Sequence, residues 1–72
     1  MTPQNQLCRL LWTYKIGVKD ILKTLLILKE EEAILNLIMK LTNFAIRENY
    51  NLEKTHSEFY KLVRFEYIDN IS

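Results

Sequence analysis

The stretch VKDILKTLLILKEEEAILNLIMKLTNFA, residues 18–45, decides the fold. From Val18 to Asn49 there is neither glycine nor proline, so propensity alone would draw one helix of about thirty residues. The apolar pattern forbids it. At about 100° per residue, Val18, Ile21, Leu22, Leu25 and Leu28 gather on one side of a helix, whereas Ile34, Leu37, Ile38, Leu41 and Ala45 gather on the opposite side. Either the chain folds back near Lys29-Glu30, or one long helix shows apolar stripes to two different partners. We expect the reversal, at residues 28 to 31, between a second helix from Val18 to Leu28 and a third that starts near Glu30. There Glu30, Glu31 and Glu32 set negative charge against the positive end of the helix dipole, although no side-chain cap precedes them.

The third helix is apolar round most of its circumference. Leu35, Met39 and Ile46 lie on one flank and Phe44 on the other, which marks a central helix or one packed on two sides. Upstream, Thr2-Pro3 reads as an N-cap followed by proline at the first helical position. Helix one then runs from Pro3 to Lys15, with Leu7, Leu10, Leu11 and Tyr14 as its buried stripe and Cys8 and Trp12 on an adjacent face. Gly17, the single glycine, is the expected C-cap of that helix. Downstream, Glu48-Asn49-Tyr50-Asn51 reads as a loop. Helix four begins at Asn51, or at Thr55 if Thr55-His56-Ser57-Glu58 serves as a capping box, with Phe59, Leu62 and Val63 as its apolar face. Val63 to Tyr67 alternates like a short strand, but no other segment alternates well enough to pair with it. Helix is expected there, with a short irregular or extended C-terminal tail after Ile68. The fold class is therefore all-α, a compact three- or four-helix bundle forming one small domain over residues 1–72.

Composition bounds what such a bundle can do. Apolar residues make up 49% of 72 positions, more than so small a domain can bury, so association with another protein or with itself is expected. The longest unbroken apolar run, Leu25 to Leu28, is far too short to span a membrane. No signal peptide is evident, and with Cys8 as the lone cysteine no internal disulfide forms; a cytoplasmic location is expected, with Cys8 as a small buried hydrophobe. The net charge of +1 hides an asymmetry. Residues 1–29 carry five basic groups against one acidic, a net +4, whereas residues 30–72 carry five against eight, a net −3.

Catalytic machinery is absent from this pattern. His56 is the only histidine, and its neighbours Thr55, Ser57 and Glu58 read as capping residues, not as a nucleophile and base. One cysteine and one histidine supply no metal-ligand spacing, and one glycine supplies no phosphate-cradling loop, so no cofactor or metal is expected. Two surface features remain. Tyr50, Tyr60 and Phe65 fall off the apolar stripes and are the candidate partner-binding residues, because aromatics anchor interfaces. Arg9, Lys15, Lys19 and Lys23 form a basic stripe that could contact phosphates, although helix two lacks polar base readers. The expected function is thus a non-enzymatic protein-binding module acting stoichiometrically, as an inhibitor of a host protein of the kind phages and mobile elements carry, or as a self-associating adaptor. The alternative is a small nucleic-acid-binding helical protein that uses Lys15, Lys19 and Lys23.

Overall fold

The computed structural model describes residues 2–68, and side chains through Phe65. Four helices, α1 (Pro3–Thr13), α2 (Val18–Ile27), α3 (Glu31–Arg47) and α4 (Leu52–Leu62), are followed by a π-helical segment, Val63–Ile68. No strand occurs among the described residues. The chain does fold back where the apolar phase reverses, with Leu28, Lys29 and Glu30 between α2 and α3. The long-helix alternative is not taken. Val63–Ile68 continues α4 as π-helix, so the strand-like alternation is not used; the expected tail after Ile68 lies outside the described residues.

α3 is the central element. Ile34, Leu37, Leu41 and Ala45 form its buried face, and α1 and α4 both pack on it. From α1 come Leu7 and Leu11, from the corner after it Tyr14 and Ile16, and from α4 and its continuation Phe59 and Val63. Burying each large aliphatic or aromatic side chain contributes roughly 1.5–3 kcal/mol before the entropy of ordering is charged against it. α2 is placed differently. It reaches the core with Ile21 and, just past its end, Leu28, and it packs against α1 and the π-helical segment.

Helix ends account for several departures from the sequence reading. Thr2 caps α1 as expected, its Oγ1 accepting from the Asn5 N–H at 3.3 Å, with Pro3 in the first turn. The helix stops at Thr13, however, and Gly17 is not its C-cap. Lys15 occupies the left-handed position at φ 58°, while the Ile16 N–H donates to Leu11 O at 2.9 Å and the Lys15 N–H to Trp12 O at 3.0 Å. This is the Schellman arrangement, and Ile16 and Leu11, both buried, supply its hydrophobic contact. Glycine would suit position 15. Burial of the next residue decided instead, because an isoleucine had to arrive at the core two residues after the cap. Gly17, at φ −65°, is the N-cap of α2 and makes no side-chain cap.

The α3–α4 corner repeats the device. Asn49 and Tyr50 are both left-handed, and the Tyr50 N–H donates to Ala45 O at 2.6 Å and the Asn49 N–H to Ile46 O at 3.1 Å. Asn51, not Thr55, then caps α4, its Oδ1 accepting from the Lys54 N–H at 2.8 Å. The capping-box reading of Thr55 fails because Thr55 is fully buried within α4, its hydroxyl donating to Asn51 O at 2.8 Å.

Candidate functional site

Ten residues of α2 include six large apolar side chains, and one helix face cannot bury them all. The helix is turned so that Ile21 and Thr24 point into the core while Val18, Leu22 and Leu26 point out. The outward set is rotated roughly 130° from the buried set at 100° per residue. Thr24 is 2% exposed whereas Leu26 is 70% exposed, an inversion of the usual partition. Thr24 tolerates burial because its Oγ1 donates to Asp20 O within the helix, at 2.7 Å.

Opposite this outward face stands the side of α1 that carries Cys8 and Trp12. Together they form a groove of about 590 Å³ lined by Cys8, Trp12, Val18, Ile21, Leu22 and Leu25, with Arg9 and Thr13 as its polar members. Trp12 stands as a ridge, 70% exposed, between this groove and a second hollow over Lys15 and Ile16. Cys8 is only partly buried and belongs to the groove wall, not to the sealed core expected from its size.

A tether holds α2 from behind. On the far side of the helix from Val18 and Leu22, Asp20 Oδ2 accepts a hydrogen bond from the Tyr60 hydroxyl of α4 at 2.6 Å. That bond to the carboxylate, with partial burial and the Asp20 charge adding, raises the Tyr60 pKa above the ordinary phenol value. His56 stacks on the Tyr60 ring at 5.2 Å between centroids, one turn earlier in α4. Burial likewise raises the Tyr14 phenol, with Tyr50 adding to it.

The candidate aromatics are all on the surface but do different things. Tyr50 is exposed in the α3–α4 corner, Tyr60 is half-committed to Asp20, and Phe65 is exposed beside the Arg64 guanidinium, 6.0 Å from its ring centre. None of them lines the α1–α2 groove. Among the candidate basic residues, Lys19 and Lys23 share an exposed face of α2, Arg9 borders the groove, and Lys15 stands in the corner before α2 begins. The i, i+4 register that joins the three lysines on paper is therefore broken at Lys15. Trp12, Val18, Leu22 and Leu26 were the residues that sequence reasoning did not single out. Six apolar side chains in a ten-residue helix was the signal that could have found them.

No group of three or more histidine, cysteine, aspartate or glutamate side chains able to hold a metal exists among the described residues. No helix among them is long and apolar enough to cross a membrane. No family model matches the chain, and neither a curated protein nor a solved structure matches it.

Proposed function

We propose that this chain is a non-enzymatic module that acts stoichiometrically by holding an amphipathic helix of a partner protein in the α1–α2 groove. The inversion on α2 carries the reading: a threonine occupies the core side while Val18 and Leu22 face out into the groove with an exposed tryptophan, and Leu26 is exposed further along the helix. Contiguous exposed apolar side chains, unlike scattered ones, mark association sites. An open apolar trough between two helices suits the i, i+3, i+4, i+7 face of a third helix. Arg9, which lines the groove, and Lys19, exposed on α2 one turn before Leu22, favour acidic residues flanking that face. Inhibitor and adaptor are both uses of such a groove.

Calorimetric titration with a helical peptide that bears leucines at those spacings, flanked by glutamates, tests the reading. Saturable one-to-one binding that is lost in Leu22→Glu, with the helical circular dichroism intact, supports it; a flat titration overturns it. The exposed pair Lys19 and Lys23 favours a second reading, nucleic-acid binding. In that case duplex DNA or RNA binds with an affinity that falls by nearly one log unit per log unit of salt for each phosphate contacted, and Lys19→Glu with Lys23→Glu abolishes it.

A further inference from the structure

We infer that α2 is a latched flap: it swings away from the rest of the bundle as one cooperative unit, with the Tyr60–Asp20 hydrogen bond as its latch. Since α2 is one wall of the α1–α2 groove, opening dismantles the groove and the latch sets how much of the population can bind; that regulatory role rests on the groove reading above. The packing of α2 is the first ground. α1 and α4 both pack along α3, whereas α2 rests on α1 and on the π-helical segment and packs along neither α3 nor α4. Its two ends are pinned by buried side chains of the flanking corners, Ile16 and Leu28. Between those pins only Ile21 and Thr24 are buried, and the Thr24 hydroxyl donates to Asp20 O, which ties α2 to itself and not to a neighbour. Leu25 and Ile27 pack at the edge of the core and stay partly exposed.

The seam between α2 and α4 is the second ground. Asp20, Thr24 and Ile27 face Phe59, Tyr60 and Val63 across an open hollow of about 120 Å³. The bridge over it is the hydrogen bond from the Tyr60 hydroxyl to Asp20 Oδ2, at 2.6 Å, between residues 40 positions apart in the chain. That bond lies at the surface, so water takes its place when it breaks. Few buried contacts, a surface bond at the seam and a non-helical corner at each end are the marks of a segment that opens at a lower free energy than the whole domain. The core of α1, α3 and α4 stays closed meanwhile, because Leu7, Leu11, Leu37, Leu41, Ala45 and Phe59 all come from those three helices. The latch acts through populations. A helix that binds only the closed groove has its affinity reduced by the closed fraction, and by the same linkage it suppresses the opening of α2.

Native-state amide hydrogen exchange in low denaturant tests the flap on the free chain. The amides from Ile21, bonded to Gly17 O, to Leu28, bonded to Thr24 O, are expected to exchange together on one shallow isotherm. Their protection should lie roughly tenfold or more below that of Leu37, Leu41 and Ala45 in α3. Tyr60→Phe keeps the ring and removes the latch, and is expected to lower α2 protection about two- to fivefold, the worth of one surface hydrogen bond, with α3 unchanged. Asp20→Ala also weakens the first turn of α2, so the double-mutant cycle decides. In the Asp20→Ala background Tyr60→Phe should have no further effect, whereas a hydroxyl that acts in any other way would have the same effect in both backgrounds. Equal protection of α2 and α3, α2 amides that exchange singly from the ends inward, or additive variants overturn the inference. The glutamate-flanked leucine peptide separates it from the groove reading. Raised α2 protection with peptide supports both; a flap that opens but is unmoved by the peptide supports the latch and overturns the groove; a chain that binds the peptide while α2 and α3 exchange alike keeps the groove and overturns the flap.

Discussion

α2 and α3 are built from nearly the same apolar vocabulary and end up in different situations. α3 turns its Ile34, Leu37, Leu41 and Ala45 face into the bundle, where α1 and α4 close over it. α2 gives the core Ile21 and a back-bonded threonine, and leaves Val18, Leu22 and Leu26 outside. The difference teaches that the apolar periodicity of a helix locates its apolar side and not its neighbours. α3 has both α1 and α4 packed on it, whereas α2 meets α1 across a Schellman corner and is held from behind by Tyr60.

Charge substitution should break the two helices apart most sharply. Leu37→Asp or Leu41→Asp buries an unpaired carboxylate and should cost about 4 kcal/mol or more, enough to unfold a domain of this size. Leu26→Asp, at a position 70% exposed, should cost less than about 1 kcal/mol. Denaturant melts of the three variants measure both, and equal losses would mean that α2 is as buried as α3.

A subtler probe acts on the corner that aims α2. Lys15→Gly should stabilise the chain by about 1 kcal/mol, since a left-handed lysine is replaced by a residue that adopts that conformation without strain. Gly17→Ala should be neutral or slightly stabilising, because φ is −65° and an added Cβ would meet only Asp20 Oδ2, at 3.8 Å. If glycine were needed at 17 and not at 15, the signs would exchange.

Tyr60→Phe should cost about 0.5–1 kcal/mol, the net value of a largely exposed hydrogen bond, and should speed amide exchange in α2 while leaving α3 unchanged. The pH dependence follows from the same contact. Folding raises the phenol pKa of Tyr60 and of Tyr14, so the folded chain holds those protons more tightly than the unfolded one. The associated stability is fully present below about pH 10, the ordinary phenol value, and is lost as pH rises through the folded-state values. Tyr60→Phe should flatten part of that alkaline decline in the melting temperature and leave the Tyr14 share. An unchanged slope would show that the tether does not hold α2.

Much of the fold was legible because it rests on phase. The opposed stripes of Val18–Leu28 and Ile34–Ala45 require a reversal whatever closes it, and Thr2-Pro3 is a local signal that tertiary packing had no reason to override. The corner glycine was misread for a tertiary reason. Ile16 had to reach the core, which put the left-handed residue at Lys15 and left Gly17 to start the next helix. Thr55 resembled a cap because its hydroxyl can satisfy a backbone group, and it does so, but on Asn51 O from inside α4. The groove was the least legible part. Val18, Leu22 and Leu25 were rightly grouped with Ile21, yet only the placement of α1 and of Tyr60 determines which edge of that group is sealed.

Trp12 is the only tryptophan in the chain, and it is already 70% exposed in the folded state. For the isolated folded chain, intrinsic fluorescence is therefore a poor witness to denaturation: unfolding moves the indole from mostly wet to fully wet, and the emission maximum has little distance to travel. The same residue is a sensitive witness to occupancy, because anything seated against the ridge between the two hollows dries the ring and shifts its emission to the blue. Helical circular dichroism should therefore follow unfolding, whereas the position of the tryptophan emission before any melting reports how much of the groove is filled.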